Sequence, residues 1–142
     1  MRLSRDFILS EFTDTDTGLP NNPSQEEIRN LKLLVQKVLQ PVRDKFGVIN
    51  VTSGFRSPGV NSAVGGSATS DHVHGRAADI QCEDMAAVFK YIRKNLPFKQ
   101  LIWEFGTDAQ PKWIHVAYDA NNNKGEVLKA IKKGGKTKYV QF

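Results

Sequence analysis

Two β-rich stretches, QLIWEFG (Gln100–Gly106) and WIHVAY (Trp113–Tyr118), stand six residues apart, with Asp108 and Pro111 in the gap. A connection of that length is hairpin-sized, so the two strands are expected side by side and antiparallel. Alternation then sorts their side chains. A register that faces Leu101 with Tyr118, Trp103 with Val116 and Phe105 with Ile114 collects the large apolar residues on one face and predicts Trp103 and Phe105 as core. The opposite face carries Ile102 with Ala117 and Glu104 with His115, and Trp113 turns the same way. A carboxylate directly beside an imidazole is the first hint of chemistry.

The remaining elements arrange themselves around this pair. Ser24 and Glu27 make an S-x-x-E capping box, after which Ile28, Leu31, Val35, Val38, Leu39, Val42 and Phe46 recur at helical spacing as far as Gly47. That predicts one long amphipathic helix, bent at Pro41. Val48–Ser53 (VINVTS) reads as a strand ending in a turn at Gly54, Pro58 and Gly59, and a short strand is expected near Ala77–Gln81. Asp84 can cap a second helix whose stripe is Met85, Val88, Phe89 and Ile92, ending before Pro97. A last helix is expected over Glu126–Lys133, stopped by Gly134-Gly135 and followed by a short strand, TKYVQF. The fold class is α+β, with helices flanking a small, mostly antiparallel sheet in a single domain over residues 1–142.

Composition narrows the function classes. With 39% hydrophobic and 25% charged residues the chain has a globular balance, and no apolar run approaches the roughly 20 residues of a membrane span, so membrane insertion is excluded as an expectation. The opening MRLSRDFILSEF lacks the apolar middle of a secretory leader, which predicts synthesis in the cytoplasm. Cys82 is the one cysteine, so there is no internal disulfide and no paired-cysteine metal knuckle. The net charge of +5 favours an anionic partner. The six lysines from Lys124 to Lys138 nevertheless lack interleaved aromatics and read as a solvated face rather than a nucleic-acid site. A monomer is favoured.

The densest chemistry lies in SDHVHGRAAD, Ser70–Asp79. Histidine and aspartate are sound zinc ligands, and a catalytic zinc takes three protein ligands and keeps a fourth position for water. His72 in a turn, Asp79 at a strand and His115 from a distant strand can supply such a set, with Gly75, Ala77 and Ala78 allowing close backbone approach. The H-x-H pair leaves open whether His72 or His74 is the ligand.

These residues also carry a resemblance. SDHVHGRAAD is similar to the S-x-H-x-x-G-x-A-x-D motif of the zinc D-alanyl-D-alanine carboxypeptidases and L-alanyl-D-glutamate endopeptidases, which share the Hedgehog/DD-peptidase fold. SGFRSPGVNSAVGGSATS (Ser53–Ser70) resembles the segment that precedes this motif in the family, and WIHVAY resembles its W-x-H strand, so the likeness covers nearly the whole chain. The resemblance implies that His72, Asp79 and His115 ligate Zn2+, that Arg56 holds the substrate carboxylate or the developing oxyanion, and that Ser70 supports the loop or binds substrate. His74 matches no ligand and is expected to be a partly exposed bystander. Many relatives carry an acidic residue three positions before the last histidine. Here that position is Lys112, which cannot accept a proton while charged; the strand register instead offers Glu104 as general base, the alternative being that Glu104 pairs with a lysine or hydrogen-bonds a ligand histidine. Trp113 is expected at the substrate, and Asp71 as an ordinary loop carboxylate. The implied activity is zinc-dependent hydrolysis of peptidoglycan stem peptides. Without a leader the chain suits a phage lysis enzyme or a virion-associated one, acting on the wall after release. The alternatives are a cytoplasmic D-Ala-D-Ala dipeptidase and a non-catalytic, zinc-stabilised wall-binding module.

Overall fold

The structure, a computed structural model, describes residues 1–142. The chain opens with a small ribbon of β1 (Arg2–Ser4) and β2 (Phe7–Ile8), then one helical turn, α1 (Ser10–Thr13), whose Phe12 is fully buried. The long helix begins at its capping box: Ser24 Oγ accepts from the Glu27 amide at 3.2 Å, and Glu27 Oε1 accepts from the Ser24 amide at 2.8 Å. It runs as α2 (Gln25–Leu34), passes through a π-helical stretch at Val35–Leu39, and continues as α3 (Gln40–Phe46) to Gly47, whose φ of 86° ends it. The irregularity sits just before Pro41 rather than on it. A proline ring crowds the carbonyl four residues back and has no amide to donate, and the widened turn ahead of it absorbs both defects. Leu31, Leu34, Val35, Val38, Leu39 and Val42 are all fully buried, so the apolar stripe holds through the irregularity.

Six strands form the main sheet: β3 (Asn50–Ser53), β4 (Ala77–Gln81), β5 (Gln100–Glu104), β6 (Trp113–Ala117), β7 (Glu126–Lys133) and β8 (Lys136–Gln141). Their order across the sheet is β3-β4-β6-β5-β7-β8, antiparallel throughout except for the parallel pair β5–β7. Between β3 and β4 lie the short helix α4 (Pro58–Ala63) and a 3-10 turn at Asp71–His74; between β4 and β5 lies α5 (Met85–Asn95), capped by Asp84 as expected. One face of the sheet carries Ala78, Ile80, Leu101, Trp103, Ile114 and Val116 and packs on the long helix and α5 to make the core. The other face is polar and holds Asp79, Glu104 and His115.

Three expectations are corrected. Glu126–Lys133 is a strand, not a helix, and Gly134-Gly135 is a two-residue hairpin turn with both glycines at positive φ (59° and 78°), not a helix stop. Positive φ at both central residues matches the strand twist, and the Val/Ile content of EVLKAIKK favours the extended state once β5 offers an edge to pair with. The β5–β6 register differs by two residues: Leu101 faces Val116, Trp103 faces Ile114 and Glu104 faces Trp113. The ladder ends at Glu104 because Phe105 (φ 57°) and Gly106 (φ 75°) both leave the extended region. A two-residue shift preserves which face each side chain takes, so Glu104 still shares a face with His115, diagonally rather than directly opposite. Phe105 is therefore no core residue; its ring packs on Trp113, 5.6 Å between centroids, at the rim of the polar face. Trp103 is core, and its Nε1 donates to the Thr107 carbonyl at 3.0 Å.

Candidate active site

His72 is aimed by the turn that carries it. Ser70 Oγ accepts from the His72 amide at 3.2 Å and starts the turn, and Gly75, at φ 70°, ends it. A β-carbon at Gly75 would meet the Glu27 carbonyl oxygen at 2.5 Å, so this turn sits directly against the first turn of α2. The Arg56 amide donates to the His72 carbonyl at 3.0 Å, tying in the segment after β3. His72 Nδ1 lies 2.8 Å from the Gly54 carbonyl; a carbonyl only accepts, so Nδ1 carries the proton and Nε2 presents its lone pair. The backbone of Gly54 in turn touches Phe12, where a β-carbon would lie 2.7 Å from that residue's Cα.

Asp79 and His115 face each other across the β4–β6 ladder. Asp79 Oδ1 is 3.0 Å from His115 Nδ1 and 3.4 Å from His72 Nε2, while Oδ2 is 3.5 Å from Arg56 Nη2. One ligand atom from each of His72, Asp79 and His115 lies within 4.8 Å of the other two, a spacing that can close on a metal ion. His74, by contrast, is exposed and outside this group; only its carbonyl is engaged, by Asn30 Nδ2 at 2.9 Å. Of the H-x-H pair, His72 and not His74 falls within this group.

The family model described as Peptidase M15 matches residues 1–117, most of the chain. The chain belongs to the peptidase M15 family. No curated protein matches it. M15 peptidases are zinc-dependent, and zinc is the cofactor of this one. The donor set fits that ion: two imidazoles and one carboxylate, borderline and hard ligands of the kind catalytic zinc takes. His72's second nitrogen is already satisfied by a backbone carbonyl, the orienting contact usual for a metal-binding histidine.

The electrostatics of this M15 peptidase agree with a cation-seeking site. Burial works against a charged Asp79, but hydrogen bonds and charge from His115 and His72 outweigh it and hold the carboxyl below its usual range. Burial works against a charged His115 too, and Asp79 overcomes it, raising the imidazole above its ordinary value. Glu104 behaves oppositely. Only 6% exposed and without a hydrogen-bonded partner, it is pushed up to about 7 by burial, with His115 pulling it down and Asp79 adding to the rise.

The cleft over this face has a volume of about 660 Å³. It gathers every site residue expected from the sequence: Arg56, Ser70, His72, Asp79, Glu104, Trp113 and His115. Arg56 is braced by Ser53 Oγ (3.0 Å to Nε) and by buried Asn61 (3.4 Å to Nη1). Asp71 is not a free loop carboxylate. It pairs with Lys99 at 2.9 Å on the cleft wall. Lys112 is exposed and lines no part of this cleft, its amide donating to the Glu104 carbonyl at 2.9 Å. Among the residues that sequence reasoning missed are Leu128, Lys132, Thr137 and Tyr139 on the β7–β8 hairpin. Their signal was present: with Gly134-Gly135 as a hairpin turn, alternation puts residues 128, 130 and 132 beside 137, 139 and 141 on one face.

Proposed function

We propose that this M15 peptidase hydrolyses peptide bonds in peptidoglycan stem peptides, with His72, Asp79 and His115 as its zinc ligands. The observation that carries the reading is a largely buried carboxylate, Glu104, with no side-chain partner in the protein, which opens on the cleft from the same sheet face as a three-ligand metal set. A module that only bound the wall would have no use for such a group, because a carboxyl whose proton affinity is raised by burial costs the fold stability at neutral pH. Its presence favours catalysis over the non-catalytic alternative.

Zinc in this site supplies Lewis acidity, polarising a carbonyl and lowering the pKa of water from 15.7 towards about 7. The chain's own residues do the rest. Glu104 takes a proton from the attacking water as the oxygen bonds to the carbonyl carbon, then returns it to the amine as the C–N bond breaks; its near-neutral affinity for a proton suits both transfers. Arg56 lines the cleft with its Nη1 and Nη2 in long contacts, 3.4 Å to Asn61 and 3.5 Å to Asp79, and its role is to bind the substrate's carboxylate or to stabilise negative charge developing on the carbonyl oxygen. Ser70 acts through the turn that aims His72, and Trp113 walls the cleft beside Glu104.

The biological setting we infer is a phage lysis or virion-associated enzyme, supported by the motif likeness and by a basic chain suited to an anionic wall. No helix of the protein is long and apolar enough to cross a membrane. A D-Ala-D-Ala dipeptidase is the competing reading. Zinc-loaded protein should release new amino groups from purified sacculi and stop when a chelator is added, and mass analysis of the fragments identifies the bond. Intact sacculi after prolonged digestion would sink the wall-hydrolase reading, and release of free dipeptide alone would favour the alternative.

A further inference from the structure

The family match ends at residue 117, yet the cleft does not. Lys124, Leu128, Lys132, Thr137 and Tyr139, all beyond that point, line it together with Glu104 and His115. Register explains how. Glu104 faces Ala130, and Ala130 faces Tyr139, so a row Trp113, Glu104, Ala130, Tyr139 crosses the sheet on the polar face. Lys132 and its partner Thr137 stand one step along on the same face, the Lys132 ammonium donating to Thr137 Oγ1 at 3.2 Å and lying 5.4 Å from the centre of the Phe105 ring. The charges on the two flanks differ. Lys99 is neutralised by Asp71 at 2.9 Å and Arg56 shares Asp79 only through a long 3.5 Å contact, whereas Lys132 has no carboxylate within salt-bridge distance.

We propose that the β7–β8 hairpin is a substrate-selecting wall on which Lys132 binds a second carboxylate of the peptide, far from the one held at Arg56. This rests on the peptidase reading above and deepens it by naming the substrate's size and charge. Asp79, His115, Ile102 and Leu128 form one row across the sheet. From β4 to β7 that row covers three strand spacings, about 14 Å at 4.8 Å each. Lys132 stands four residues further along β7 than Leu128. Even with the reach of a lysine, the two cationic ends are on the order of 15 Å apart, which an extended peptide bridges with four or more residues at about 3.3–3.6 Å each. A dipeptide reaches only one of them. The preferred substrate is thus a peptide of at least four residues with carboxylates at both ends of the cleft.

The test uses zinc-loaded protein and three synthetic peptides sharing one scissile bond: a pentapeptide acidic at the Lys132 end, the same peptide amidated there, and a dipeptide. The parent should favour the acidic pentapeptide about tenfold in kcat/KM over the amidated one. Lys132→Ala should raise KM for the acidic peptide about tenfold while kcat holds, and abolish the preference; Lys132→Arg should restore it. Lys138→Ala, on the opposite face of the same hairpin, should behave as the parent. Calorimetric binding of the two pentapeptides to the zinc-loaded Glu104→Gln protein should show the same preference without turnover. An unchanged KM in Lys132→Ala, or equal use of dipeptide and pentapeptide by the parent, overturns the selecting wall alone. Failure of the parent to cleave any of the three overturns it together with the peptidase reading.

Discussion

Replacing Glu104 by glutamine removes a proton carrier while keeping the shape of the side chain, and its effects on turnover and on stability should run in opposite directions. Loss of a positioned acid–base group lowers rate by about 10²–10⁴, so kcat should fall by that factor while zinc content stays at the parental value. Stability of the metal-free protein should rise. In the unfolded chain the carboxyl ionises near 4.5, whereas in the fold burial pushes it up to about 7. Below pH 4.5 the group is protonated in both states and costs nothing. As pH climbs to 7 and beyond, the unfolded chain ionises readily and the folded one only against burial, so stability drains away. At about 1.4 kcal/mol per tenfold change in ionisation constant, the ceiling is about 3 kcal/mol at pH 8, and the open cleft screens this to about 1–2 kcal/mol. Urea unfolding of parent and Glu104→Gln, both stripped of metal, should coincide at pH 4 and separate in favour of the variant by pH 8. Near-parental turnover, or a stability difference that ignores pH, would refute the role given to this carboxylate.

Two further outcomes follow from the same geometry. Gly75→Ala should cost about 2 kcal/mol or more, because it adds a β-carbon 2.5 Å from the Glu27 carbonyl oxygen at φ 70°; Gly125→Ala, at the same φ but in open space, should cost only the left-handed backbone penalty of about 1–2 kcal/mol. Zinc affinity of Gly75→Ala should drop with the displaced His72, and equal behaviour of the two variants in unfolding would show that the contact with α2 does not position the turn. Zinc binding should release protons near neutral pH, since Asp79, against the effect of burial, raises the affinity of His115 for a proton that the ion must displace; zinc affinity then weakens as pH falls. Calorimetry in buffers of different ionisation heat measures the release, and none at pH 7 would contradict the assignment of His115.

How much of this was legible beforehand depended on how local the signal was. The capping box at Ser24 and Glu27 and the cap at Asp84 are short-range chemistry, and both helices start there. The metal set was readable because its residue types and order are constrained by the ion rather than by the fold. The β5–β6 register was off by two residues, because Phe105 adopts a left-handed backbone conformation that a bulky aromatic rarely takes. Even so, period-two alternation kept Glu104 and His115 on one face. The clearest miss was Glu126–Lys133. Its Lys and Glu content and a following Gly-Gly suited a helix end as well as a hairpin, and only the exposed edge of β5, invisible in sequence, decides for the strand. That one miss hid a whole wall of the cleft.

The most direct test of the account is anomalous diffraction at the zinc edge from crystals grown with the metal. The account expects one strong peak per chain at bonding distance, about 2.0–2.2 Å, from His72 Nε2, a carboxylate oxygen of Asp79 and His115 Nδ1. A peak held by His74, or none between β4 and β6, would contradict it.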